Sequence, residues 1–174
     1  AGEMRRLREA GVKISPENLK ISDRAVVTMP YNVAQDCLEE ERLADKKFGS
    51  TKRGIAPVYA DKYLKKAFRI GELKEWDRLE KRVPDIVDWK NLTLQGAYGA
   101  EGTSVEEILH YFEQFGLPLS DYITDTGLYL SEAHRQGKKI LFEAQLGALR
   151  DIDFGIYPYT SSSNTIAAYA PIGA

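Results

Sequence analysis

Residues 140–147 have the sequence ILFEAQLG, in which a charge-free, β-prone run is followed at once by a carboxylate and an amide. A second uncharged run, AVVTM, occupies residues 25–29 and ends at Pro30. Apolar runs without polar alternation are typical of strands buried on both faces of a parallel sheet. Because long helical patterns separate the two runs, the sequence predicts an α/β fold with helices flanking a largely parallel sheet.

Amphipathic helical patterns fill most of the remaining sequence. Residues 32–48 place their apolar side chains roughly on one stripe, which predicts a helix whose exposed side carries the acidic run 39–41. The sequence Ser-Val-Glu-Glu at 104–107 is a capping box, the signal for the start of another helix. Further helices are predicted at 3–10, at 60–68 and at 74–89, the last with a disturbance near Pro84. A short strand is predicted at 123–124, followed by a helix that ends at Gln136.

The composition limits the class of protein. The 174 residues are 43 % hydrophobic and 29 % charged with a formal net charge of −2, which fits a globular domain without a strong field for nucleic acid or membrane. Cys37 cannot form an internal disulfide, and with His110 and His134 it cannot complete a zinc cage. We therefore expect one unit over 1–174, without an internal linker, from a reducing compartment such as the cytoplasm. The first residue is not methionine, which suggests a piece of a longer protein.

The stretch GSTKRG at 49–54 is the first candidate for chemistry. Its two glycines enclose two hydroxyls and two cations, groups that can bind a phosphate or a carboxylate. The spacing is not that of a Walker A loop, and an ordinary solvated turn is the alternative interpretation. A second candidate is a set of cations whose spacing predicts one helix face, or equally a solvated basic surface. This set is Lys62, Lys65, Lys66 and Arg69.

The third candidate lies beyond the second β-prone run. Glu143 follows that run, and the carboxyl ends of parallel strands are where open α/β sheets bind ligands. The polar run 160–165, preceded by tyrosines, offers hydroxyl and amide groups that could bind a purine edge and phosphate oxygens. The alternative is a loop whose hydroxyls bond to the nearby backbone.

Two long motifs together resemble one known family. GSTKRGIAPVYADK at 49–62, followed further along by LFEA and by DIDFGIYPYTSSSNT at 151–165, is similar to adenylosuccinate synthetase over nearly the whole chain. The resemblance implies a P-loop-NTPase-like α/β fold and a homodimeric ligase. In that reaction GTP phosphorylates the 6-oxygen of IMP, and L-aspartate displaces the phosphate to give adenylosuccinate, with Mg²⁺ required. It also implies a glycine-rich phosphate loop, a catalytic aspartate and histidine, and a guanine-binding segment, none of which this sequence contains.

The resemblance assigns roles to individual residues. Lys62 matches the lysine of a family signature and is the candidate catalytic residue. Lys65 stands where the family has an arginine that reaches IMP across the dimer. The candidate IMP-binding residues are Ser50, Thr51, Lys65, Gln145, Leu146 and Ser161.

Several positions depart from the family pattern. Lys65 keeps the charge of arginine but loses its bidentate fork. Leu146 replaces the IMP-contacting glutamine, while Gln145 stands one residue earlier, and Ala56 and Ala148 replace a glycine and a threonine. We therefore keep two alternatives beside the ligase: a catalytically inactive relative that binds a nucleotide or anion as a regulatory module, and a purely structural role. This piece alone is not expected to catalyse the reaction.

Overall fold

Helices dominate the computed structural model of this chain, which describes residues 2–173. The helices are α1 (Gly2–Glu9), α2 (Pro30–Leu43), α3 (Ile55–Tyr63), α4 (Trp76–Tyr98), α5 (Val105–Tyr111), α6 (Thr126–Arg135) and α7 (Ala170–Gly173). Short 3₁₀ turns lie at Ala44–Lys46, Ile70–Glu75, Leu117–Tyr122, Ala148–Arg150 and Ala167–Tyr169, and a π-turn at Phe112–Gly116. None of the helices within this described part is long and apolar enough to cross a membrane.

A small parallel sheet joins two distant parts of the chain. Strand β1 (Ile21–Ser22) pairs with β2 (Ile123–Thr124), with Ile21 opposite Ile123 and Ser22 opposite Thr124. This confirms the predicted strand at 123–124 and the α/β, helix-rich fold class. Parallel strands require a long crossover, which α2 to α5 provide.

The two β-prone runs that suggested the sheet are not strands in this structure. Residues 25–29 form one isolated antiparallel bridge, between Val26 and Arg69, before Pro30 begins α2. Residues 140–142 have no regular structure, and Leu141 is 92 % exposed. Both predictions of a buried strand are therefore wrong for this structure. The physical reason is that a strand needs a backbone partner, and within residues 2–173 none lies beside 140–142.

The predicted helices are present with different bounds. The helix predicted at 60–68 begins earlier and ends at Tyr63. The helix predicted at 74–89 is α4, which continues to Tyr98 and passes through Pro84. Burial of Leu79 and Val83 in the core outweighs the hydrogen bond that proline cannot donate. Gly99 ends α4 in the left-handed conformation, the usual role of a C-terminal glycine.

The core lies between α4, α5 and the segments that precede them. Phe68 and Phe112 are fully buried and pack edge to face, with ring centroids 5.2 Å apart. Met29, at the start of α2, is buried in the same cluster. The predicted capping box is confirmed at α5, where the Ser104 hydroxyl accepts from the Glu107 N–H at 3.1 Å and the Glu107 carboxylate accepts from the Ser104 N–H at 2.9 Å. This core positions α2 and α3, which carry the first candidate site.

Candidate functional site

The loop 49–54 is held against α2 by one carboxylate. The Ser50 hydroxyl donates to Asp36 Oδ1 at 2.7 Å, and the Gly54 N–H donates to Asp36 Oδ2 at 2.9 Å. Ser50 Oγ also accepts from the Lys52 N–H at 3.1 Å. Asp36 thus fixes both ends of the segment that lies between Ser50 and Gly54.

Three buried polar residues on one face of α2 support this loop. Asn32, Asp36 and Glu40 are only 1, 5 and 4 % exposed and follow one another at intervals of four residues, so they share a helix face. Glu40 accepts from the Phe48 N–H at 3.2 Å. The prediction that Glu40 lies on the exposed side of α2 is wrong, because the loop covers this face and supplies donors for its carboxylates. Their i, i+4, i+8 spacing shows in the sequence that the three share a face, and only the structure shows that this face is covered.

Gly54 allows the loop to approach α2 closely. Its φ is +77°, and a Cβ at this position would lie 2.9 Å from the backbone of Asn32 and Val33. Only glycine fits such an approach without a backbone shift. Ala56, in contrast, lies inside α3 with an ordinary negative φ, so the alanine there is compatible with the fold.

The loop presents cations and a hydroxyl outward. Thr51, Lys52 and Arg53 are all exposed, and Lys52 adopts a φ of +55°. Because the Ser50 hydroxyl is bonded to Asp36, Thr51 carries the hydroxyl of this loop that faces solvent. Two cations and a free hydroxyl beside a tight turn can bind an anion such as a phosphate.

The predicted cation face is not a single helix face. Lys62 lies in the last turn of α3, but the helix ends before Lys65, which has a φ of +60°. Lys66 lies over the Trp89 ring at 5.1 Å, and Arg69 follows in extended backbone. The prediction of one shared face is therefore wrong, because the left-handed turn at Lys65 redirects the chain. Lys62 and Lys65 are nevertheless both exposed near the end of α3.

A buried ion pair fixes the position of α3. Asp61, next to Lys62, accepts from Lys90 Nζ at 2.8 Å and from Asn32 Nδ2 at 2.7 Å. Lys90 also donates to Gln35 at 3.0 Å. Both charged side chains are almost fully buried, 2 % exposed for Lys90 and 4 % for Asp61. This network links α2, α3 and α4 and so determines where Lys62 lies.

A second buried carboxylate organises residues 143–166. Asp151 is fully buried and accepts from the backbone N–H groups of Asp153, Phe154, Thr165 and Ile166. Its burial acts to raise the pKa of this carboxyl, but the four hydrogen bonds outweigh that effect and lower the pKa to about 2. Asp151 was not among the predicted site residues, although Asp-Ile-Asp belongs to the second motif.

Two predicted site residues, Gln145 and Ser161, are linked through the Ser163 hydroxyl inside this segment. Gln145 Nε2 donates to Ser163 Oγ at 2.6 Å, and Ser163 Oγ lies 3.2 Å from Ser161 Oγ. Leu146, with a φ of +63°, is 66 % exposed and makes no polar contact through its side chain. Within residues 2–173, no hydrogen bond joins this segment to the loop 49–54. The structure therefore gives two separate groups: Ser50 and Thr51 in one, Gln145 and Ser161 in the other.

A cavity of about 380 Å³ lies elsewhere, at the carboxyl ends of β1 and β2. Its lining side chains pair with one another, Arg24 with Asp125 at 3.2 Å and Arg78 with Glu75 at 3.1 Å. Arg69 of the predicted cation set lines it, whereas none of the candidate catalytic or IMP-binding residues does. In the described part of the chain no three His, Cys, Asp or Glu side chains converge to hold a metal ion.

Comparison with known proteins decides the family. The family model for adenylosuccinate synthetase matches residues 1–174, the whole chain. The chain belongs to the adenylosuccinate synthetase family. An adenylosuccinate synthetase of Caldanaerobacter subterraneus subsp. tengcongensis is 38 % identical over 172 residues, covering 99 % of this chain and 40 % of the relative. That of Bacillus cytotoxicus is 39 % identical over 171 residues, covering 98 % of this chain and 39 % of the relative.

A solved structure agrees with this family. The fully ligated adenylosuccinate synthetase from Plasmodium falciparum superposes with a TM-score of 0.84 at 27 % sequence identity, over 99 % of this chain and 41 % of that one. The resemblance stated from the two motifs is confirmed. The chain spans about 40 % of the length of the curated adenylosuccinate synthetases it matches, which agrees with the prediction that it is a piece of a longer protein.

Proposed function

We propose that the complete protein is an adenylosuccinate synthetase that joins IMP and L-aspartate with the hydrolysis of GTP. The observation that carries this proposal is the match of the family to the whole chain, including both candidate segments. The ordered loop 49–54 adds support, because Asp36 holds it in a form that presents Thr51 and two cations to an anion. The single, unpaired thiol of Cys37 fits a location in the cytoplasm.

The reaction needs a better leaving group than the oxygen of IMP. The 6-oxygen of the base belongs to an amide-like group and leaves poorly, whereas its phosphate ester leaves well. Phosphorylation by GTP therefore prepares the carbon for attack by the aspartate amine, with release of phosphate and GDP. Mg²⁺ would supply charge neutralisation for the phosphoryl transfer. We assign to the residues of this stretch the binding and orientation of IMP, together with the candidate catalytic Lys62.

We assign the IMP contacts to the two segments described above. Thr51 binds the 5′-phosphate from the first loop, and Ser161 binds it from the second, with Gln145 beside it. The support is that each side chain lies in a loop fixed by a buried carboxylate, Asp36 or Asp151. Because these donors are already ordered before the ligand binds, binding of the anion does not cost the free energy of ordering them. We propose that the two loops converge on one IMP molecule.

Two lysines near the end of α3 complete the proposed site. Lys62 is the candidate catalytic lysine, and Lys65 reaches the IMP of the partner subunit in a homodimer. The exposure of both side chains supports these roles, since each is free to meet a ligand or a second subunit. Lysine binds phosphate as a point charge without the bidentate geometry of arginine, so Lys65 should hold IMP more weakly than the family's arginine would.

An inactive, anion-binding relative is the second candidate function. Its support is Leu146, which is exposed and offers no hydrogen bond where the family has a glutamine. A regulatory protein of this kind would retain the loop 49–54 and bind a nucleotide without turnover.

The decisive experiment measures adenylosuccinate formation by the complete protein from IMP, L-aspartate and GTP. Product formation is expected, and Thr51→Ala should raise the KM for IMP by roughly tenfold, the loss of about one charge-assisted hydrogen bond. Glu41→Gln, an exposed change on α2, is the matched control. No product above background from a folded dimer would refute the ligase, and calorimetric heat with IMP in that case would favour the second candidate.

A further inference from the structure

Ser50 and Thr51 are adjacent hydroxyl residues in the candidate anion-binding loop, but their surroundings differ. Thr51 is exposed. The Ser50 hydroxyl proton is directed to Asp36, and its oxygen accepts from the Lys52 N–H. A hydroxyl has one proton, and that of Ser50 is committed inside the protein. Ser50 therefore has no proton left to donate to a phosphate oxygen.

Asp36 connects this hydroxyl to the other end of the loop. One carboxylate oxygen accepts from Ser50 and the other from the Gly54 N–H, so a single buried side chain spans residues 50–54. Hydrogen bonds to an ionised acceptor are stronger than neutral ones, and both here are 2.9 Å or shorter. Glu40 adds a third attachment one helical turn further along α2, through the Phe48 N–H.

We propose that Asp36 and Ser50 act as one positioning unit, which holds the loop 49–54 so that Thr51 and its neighbours bind the phosphate of IMP, with Ser50 itself making no contact to the ligand. This inference rests on the proposed function for the identity of the ligand. It departs from the expectation that Ser50 binds IMP directly. We therefore expect the side chains of Asp36 and Ser50, which are 14 residues apart in sequence, to be energetically coupled.

Two kinds of role for Ser50 predict different results. If Ser50 contacts the phosphate, its removal and the alteration of Asp36 remove separate interactions, and their effects add. If the pair is one unit, either change alone releases the loop and the second change adds little. A purely structural role would lower stability without separating the KM for IMP from the KM for GTP.

The test uses the complete protein and four variants: Ser50→Ala, Asp36→Asn, the double variant and Ser50→Thr. Ser50→Ala and Asp36→Asn should each raise the KM for IMP by roughly tenfold, with kcat and the KM for GTP within about twofold of wild type. The double variant should stay within about twofold of the worse single variant. Ser50→Thr retains the hydroxyl and should recover most of the loss, and Glu41→Gln serves as the control.

The outcomes separate this proposal from the proposed function. Additive effects, or an effect of Ser50→Ala without one of Asp36→Asn, would overturn the positioning unit while leaving the ligase intact. If the wild-type protein forms no adenylosuccinate, the unit is tested by hydrogen exchange instead. Both single variants should then accelerate exchange of the Lys52 and Gly54 amides by at least about tenfold, because either change releases the loop from α2 and exposes both amides to water. Unchanged exchange at both amides would refute the proposal.

Discussion

Replacing Lys90 by methionine should destabilise the protein by about 3–5 kcal/mol. Lys90 Nζ lies 2.8 Å from Asp61 Oδ1, and the two side chains are only 2 and 4 % exposed. Methionine fills a similar volume but leaves the Asp61 carboxylate buried without its cation. Asn32 would then be the remaining side-chain donor to Asp61, which does not neutralise the charge.

The magnitude can be measured by urea unfolding of the 174-residue chain followed by circular dichroism. A loss of this size exceeds the change of about 0.5 kcal/mol that is usual for surface substitutions, so Lys81→Met, an exposed change on the same helix, is the matched control. The slope of the unfolding free energy against urea concentration should stay constant, because the fold is retained.

A double variant separates a buried charge from lost packing. Lys90→Met combined with Asp61→Asn removes both charges and keeps an oxygen for Asn32 to donate to. It should recover about 2 kcal/mol relative to Lys90→Met alone, since the cost of an uncompensated charge disappears. The reasoning fails if Lys90→Met costs less than about 1 kcal/mol, or if the double variant is no more stable than the single one.

Two further predictions concern the second segment and α5. The pKa of Asp151 is about 2 in the folded protein against an ordinary 3.8, so its ionisation stabilises the segment above pH 3.8 and this stabilisation is lost as the pH falls through about 2. Exchange of the Thr165 amide against pH should show this step, and Asp151→Asn should lack it. Ser104→Ala should lower the unfolding free energy by about 1 kcal/mol through loss of the cap, and thermal unfolding showing no change would contradict that role.

Local signals predicted several elements correctly. The capping box at Ser104 depends on residues three apart, and the structure shows both of its hydrogen bonds. The end of the helix predicted at 3–10 is confirmed as well, since Gly11 adopts the left-handed conformation just after α1, which needs only the adjacent turn. The strand at 123–124 was predicted, whereas its partner strand at 21–22 was not.

Predictions of features that depend on contacts distant in sequence were wrong. The run 140–142 has the composition of a buried strand, yet it is exposed because nothing pairs with it within the described residues. Glu40 was placed on the solvent side by its acidic neighbours, whereas the loop 48–54 covers it. The cations after Lys62 were placed on one face by helical spacing, and the turn at Lys65 ended that helix.

Only part of the candidate site could be predicted from the sequence. The motifs located both loops and named Thr51, Gln145 and Ser161 as candidates. The carboxylates that hold these loops, Asp36 and Asp151, were not recognised. The partners of Asp36 lie 14 and 18 residues away, and Asp151 joins the nearby N–H groups of Asp153 and Phe154 to the distant one of Thr165. A hydrogen-bond acceptor looks the same in sequence whether it faces water or a loop.

The order of residues alone determined the family, the helix cap at Ser104 and the two loops that carry polar groups, since each is encoded by neighbours along the chain. Only the tertiary structure decided which acidic side chains are buried, that Ser50 is bonded to Asp36 while Thr51 is exposed, and that Asp61 pairs with Lys90. The physical reason is that burial and charge pairing depend on contacts between segments far apart in sequence. The free energy of a charged group is determined by those contacts and not by its position in the chain.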